Sequence, residues 1–99
     1  MLHIVNKSPT ERPALESCLA HARPGDSVLL IEDGVYAATR GSAGARRLES
    51  LPPDVKVYAL APDLEARAMD GALVEGVMTV DYRGFVDLVA RHSRVQSWL

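Results

Sequence analysis

Four short apolar runs, at residues 2–5, 28–31, 55–60 and 77–80, constrain this chain more than any other feature. Their starts at 2, 28, 55 and 77 lie 26, 27 and 22 positions apart. Each interval holds one helix and two short loops. That alternation argues for a parallel sheet with helices on both sides. Three of the runs are nearly unbroken, as in strands buried on both faces. Lys56 interrupts the third, which suits an edge strand or a register with one wetter face. The expected fold is α/β, a three-layer βαβ sandwich with a mostly parallel sheet of four or five strands.

The intervals carry helix signals of their own. Residues 8–13 form a start region, where Pro9 and Pro13 are tolerated only in a first turn. Ala14, Leu15, Cys18, Leu19 and Ala22 then keep helical spacing until Pro24-Gly25 ends it. Asp33 or Gly34 opens a short second helix, Gly41-Ser42-Ala43-Gly44 breaks it, and residues 46–51 form another turn before Pro52-Pro53. Residues 62–68 read as a third helix. Asp81 is a good N-cap for the last. There Tyr82, Phe85, Val86 and Val89 form one apolar stripe, despite Gly84, which costs about 1 kcal/mol relative to alanine. The end of the chain, residues 95–99, adds a short fifth strand or docks as a loop. Trp98 and Leu99 either pin that tail to the core or belong to an interface.

At 99 residues the chain is expected to be a single domain, 1–99, with a core that is adequate but small. Little stability is then held in reserve, and partner subunits are a natural supplement. A hydrophobic content of 47% excludes disorder and collagen, and a net charge of −2 gives no basic face for nucleic acid. The single cysteine rules out an internal disulfide and suits a reducing compartment. No apolar run approaches the ~20 residues of a membrane span, and no targeting segment is visible. The expected location is the cytoplasm.

Few residues are candidates for chemistry. Cys18 lies on the helical stripe that should face the sheet, so a small buried hydrophobe is one reading. The other is a thiol that carries sulfur, which requires exposure and a depressed pKa. His21 lies on the same flank and Arg23 follows, but a helix C-terminus disfavours a thiolate. Glu32-Asp33-Gly34 follows the second strand, at the carboxyl edge where open α/β sheets bind ligands. Paired carboxylates there suit a metal or acid–base work. The plainer role is that Asp33 caps the next helix and Gly34 permits a tight turn. His3, His21 and His92 show no paired spacing, and Cys18-x-x-His21 lacks a second ligand pair for zinc. Arg40, Arg46 and Arg47 flank the glycine-containing stretch 41–44, but no strand precedes it as a phosphate loop requires.

Five segments are distinctive together: residues 2–9 (LHIVNKSP), 29–38 (LLIEDGVYAA), 57–67 (VYALAPDLEAR), 80–88 (VDYRGFVDL) and 96–99 (QSWL). In order and spacing they resemble the DsrH/TusB family of sulfur-relay proteins, in the DsrE-like α/β superfamily. The match runs over nearly the whole chain. The cysteine in Leu15-Glu16-Ser17-Cys18-Leu19 favours the DsrH branch of sulfur oxidisers over the tRNA-thiolation TusB branch.

The resemblance implies a cytoplasmic heterohexamer, with two copies each of three related chains. Such a complex accepts persulfide sulfur from a small carrier protein and passes it on, in sulfur oxidation or in tRNA wobble-uridine 2-thiolation. The partners implied are two related sulfur-relay subunits, with small sulfur-carrier proteins as donor and acceptor. No direct nucleic acid contact and no membrane are implied. Cys18 matches the family's one thiol position and is the candidate persulfide carrier. In the alternative the chain is a structural subunit with a buried Cys18, and a sister subunit holds the active cysteine. In the transfer a thiolate attacks the terminal sulfur of a donor persulfide and the donor thiol leaves. That step needs no cofactor and no metal.

Overall fold

The chain steps across one sheet in a single direction and then turns back. The computed structural model describes residues 1–99. In order it contains β1 (Leu2–Val5), α1 (Ala14–His21), β2 (Ser27–Leu30), a 3-10 helix (Glu32–Ala38) and α2 (Ala43–Glu49). Then follow β3 (Lys56–Leu60), α3 (Ala61–Ala66), β4 (Met78–Val80), α4 (Tyr82–Arg91) and β5 (Val95–Trp98). The five strands are ordered β4-β3-β2-β1-β5, and every pairing is parallel.

Right-handed crossovers explain where the helices go. From β1 to β4 the chain moves one way, so its helices gather on one face. The connection from β4 back to β5 reverses direction, so α4 lands on the other. Strand alternation matches this division. Val5, Val28, Leu30, Val57 and Ala59 point to the first face, with Leu15 and Cys18 of α1, Leu48 of α2 and Leu64 of α3. Leu2, Ile4 and Leu29 point to the second, where only Leu88 of α4 is buried against them.

Several sequence expectations change in detail. The stretch 41–44 does not merely break a helix. Ser42 is the N-cap of α2, its hydroxyl accepting from the Ala45 N–H at 3.1 Å. β3 is an interior strand, and Lys56 is exposed because it begins the strand at the rim. The tail forms the fifth strand, with Val5 opposite Trp98. Asp81 caps α4, accepting from the Gly84 N–H at 2.8 Å. The apolar stripe of α4 is split: Phe85 packs on the sheet side, while Tyr82, Val86 and Val89 are exposed. Gly84 also has a packing reason, since a Cβ there would meet the Val80 Cβ at 2.9 Å.

Candidate functional site

Cys18 is completely buried on the inner side of α1, among Ala14, Leu15 and the strands beneath. Burial, reinforced by the charge of Asp26, pushes its thiol up to about 12. An attacking sulfur must be reachable and ionised. In this conformation Cys18 is neither. His21, one turn further on, points elsewhere: its Nδ1 donates to the Ser17 carbonyl at 2.7 Å and its ring lies 5.0 Å from that of Trp98.

A second group converges on the same helix from the amino-terminal rim of the sheet. His3 is the one buried imidazole, facing α1 from β1. The Trp98 indole N–H donates to its Nδ1 at 3.0 Å. An indole nitrogen only donates, so Nδ1 is the acceptor and the ring proton sits on Nε2. Nε2 then donates to Asp26 Oδ2 at 2.8 Å. Asp26 also accepts from the Arg23 N–H and from the Met1 amino group, both at 3.0 Å. Burial pushes the Asp26 carboxyl up, but these donors outweigh it and hold it down at about 2. The relay from Trp98 through His3 to Asp26 ties the last strand, the first strand and the turn before β2 together. In front of it lies an open cavity of about 520 Å³, lined by His3, His21, Arg23, Asp26, Arg94 and Trp98 among others.

The carboxyl rim is organised differently. Glu32 holds a positive φ of 49°, and its N–H donates to Asp63 Oδ2 at 2.6 Å. Asp33 does not cap the 3-10 helix: the N-cap residue is Ile31, without a side-chain bond. Asp33 instead accepts from Arg67 Nε at 3.0 Å. Gly34 is required by close approach, because a Cβ there would collide with the backbone carbonyl of Val5. The Asp33 carboxylate and the Glu32 backbone are thus engaged in holding the loop after β2 against α3. Neighbouring Asn6 carries a buried Oδ1 without a hydrogen-bond partner.

The sequence pointed to Cys18, Glu32 and Asp33, and the structure separates Cys18 on the inner face from the two carboxylates at the rim. It brings together His3, Asp26 and Trp98, which are spread from one end of the chain to the other. One signal was present: a histidine inside the first apolar run is a polar group that must find a partner once buried.

The model of the DsrH family, "DsrH like protein", matches residues 7–95. Protein TusB of Shigella flexneri is 39% identical over 100 residues, covering 99% of this chain and all of that protein. Protein TusB of Escherichia coli O81 (strain ED1a) matches to the same extent. Among solved structures, the ychN protein from E. coli superposes with a TM-score of 0.81 at 18% identity, covering 98% of this chain and 97% of that one. MTH1491, a protein of unknown function from Methanobacterium thermoautotrophicum, gives 0.73 at 22% identity, with 97% and 95% covered. These two likenesses concern the fold. No helix of the chain is long and apolar enough to cross a membrane.

Proposed function

The chain belongs to the DsrH/TusB family, and on that premise we propose that it is a one-domain subunit of a cytoplasmic sulfur-relay complex. Two related subunits would be its constant partners, and small carrier proteins would bring and remove persulfide sulfur. The curated relatives carry the TusB name, which favours tRNA wobble-uridine 2-thiolation as the endpoint. The cysteine at position 18 is the feature that favours sulfur oxidation. The full-length match to TusB proteins carries the reading.

Within that complex the chain acts as a docking and structural subunit. The burial of Cys18 and its raised pKa support this role over that of persulfide carrier. For transfer, a thiolate must attack the outer sulfur of the donor persulfide, forming one S–S bond as the donor's S–S bond breaks and its thiolate leaves. A thiol enclosed beneath α1 offers no line of attack. The apolar surface that α4 leaves exposed supports a subunit with standing partners.

Co-expression with the two sister chains tests the assembly. One co-purifying particle is expected, and a monodisperse monomer that ignores both chains overturns it. Incubation with a persulfide donor followed by intact-mass analysis tests the role of Cys18. No added sulfur is expected on the assembled chain, and Cys18→Ala should retain relay activity. A gain of one sulfur atom that disappears in Cys18→Ala would restore Cys18 as the carrier.

A further inference from the structure

We propose that the cavity at the amino-terminal rim, between α1 and β5, is a binding site for a small oxyanion group of the phosphate or sulfate type. Two arginines line it, Arg23 from the turn after α1 and Arg94 from the turn before β5. Asp26 is the single carboxylate among the lining residues. It is already taken, by His3 Nε2, by the Arg23 backbone N–H and by the Met1 amino group. Neither guanidinium has a hydrogen-bond or ion-pair partner. Of the other arginines, Arg47 grips Glu16 through two bonds of 2.8 and 2.9 Å and Arg67 holds Asp33, while Arg12, Arg83 and Arg91 have no carboxylate partner.

The cavity is therefore locally cationic on a chain whose net charge is −2. Two arginines lining one cavity can bring two planar forks to a tetrahedral oxyanion, which they recognise bidentately. Trp98, Asp26 and His3 fix each other through hydrogen bonds, so the wall behind these groups is preorganised. At about 520 Å³ the space also admits an organic molecule bearing such a group.

Trp98 is the only tryptophan and lies in the wall, so its fluorescence reports on the site. Sodium sulfate and sodium phosphate are titrated into the purified full-length chain, with sodium chloride at matched ionic strength as control. A saturable change with sulfate or phosphate, absent with chloride, is expected. Arg23→Ala and Arg94→Ala should each weaken it about ten-fold or more, as loss of a charge-assisted bidentate contact does. Both side chains are exposed, so these variants should fold, which circular dichroism checks. As a second readout, amide shifts in the ¹⁵N-labelled wild-type chain should concentrate at Ala20, Arg23 and Gln96. An equal response to chloride overturns the proposal, as does a sulfate response that survives loss of both arginines. Shifts spread over the whole surface overturn it too. The sulfur-relay reading is tested separately by assembly, so either can fail alone.

Discussion

The two faces of the sheet are built on different scales. On the α1 face, 17 buried residues form one cluster with contributions from α1, α2, α3 and the 3-10 helix. On the α4 face the buried cluster has four, and a single helix covers it. α4 also leaves apolar side chains in solvent, with Tyr82 61% and Val86 65% exposed. Stability scales with apolar area removed from water, so the first face should dominate folding and the second has surface left for another molecule. The same winding rule that put three crossovers on one face and one on the other produced this imbalance.

Glycine substitutions offer the largest contrast. On the thick face, Gly34 abuts the Val5 backbone, which cannot yield without moving β1. Gly34→Ala should cost more than about 3 kcal/mol or abolish folding, read by urea denaturation. On the thin face, Gly84 meets the side chain of Val80 on a short edge strand. Gly84→Ala gains helix propensity of about 1 kcal/mol against that crowding and should leave stability within about 1 kcal/mol of the starting chain. Equal losses at both sites would break the comparison.

Next in size is the acid limb, which belongs to the thick face. Asp26 has a folded pKa of about 2 against an ordinary 3.8. Its stabilisation is present above pH 3.8 and is lost as pH falls through 2. The shift corresponds to about 2 kcal/mol. Asp26→Asn should lose about that much at neutral pH and flatten the stability profile between pH 4 and 2. An unchanged profile would show that the Trp98–His3–Asp26 relay contributes nothing to holding β5.

Much of this was legible in the residues. Near-continuous apolar runs and their spacing specify parallel β–α alternation, because interior strands dispense with a polar face, but the run at 77–80 misleads: β4 is an edge strand with Met78 and Thr79 exposed. Ser42 was harder to read, since a glycine-flanked serine serves a break and an N-cap equally well. Asp33 has the local signature of a cap, and its actual partner, Arg67, is 34 residues away. The rim site was illegible for the same reason. Trp98 and His3 are separated by 95 positions, and only the return of the chain from β4 to β5 makes them neighbours. Burial of Cys18 followed from helical spacing, but the influence of Asp26 on it did not.

Cys18 sharpens the comparison at alkaline pH. Its thiol ionises near 9 when free and near 12 in the fold. The stabilisation is complete below pH 9 and is lost as pH rises toward 12, because the unfolded chain releases the proton first. At pH 10 the loss should be about 1 kcal/mol relative to pH 8, and Cys18→Ala should not show it. Thiol-reagent labelling of the native chain should be slow until denaturant is added. Rapid native labelling would mean that α1 opens readily and that the thick face is less firmly closed than its packing indicates.

The smallest effect on stability should come from the thin face, and there the consequence lies in assembly. Tyr82→Ser and Val86→Ser remove apolar surface that is already in water, so each should shift the folding free energy of the isolated chain by less than about 0.5 kcal/mol. If α4 is where a sister subunit rests, those side chains become buried in the complex. Losing a buried aromatic or aliphatic anchor then costs about 2 kcal/mol or more of binding. Co-purification with the sister chains should fall while the urea midpoint stays fixed. A drop in both together would assign these residues to the chain's own core. No change in either would move the interface away from Tyr82 and Val86, with the β5 edge, where Val95 and Leu99 are exposed, as the next surface to vary. A split between folding and assembly is what a sheet with one finished face and one unfinished face requires.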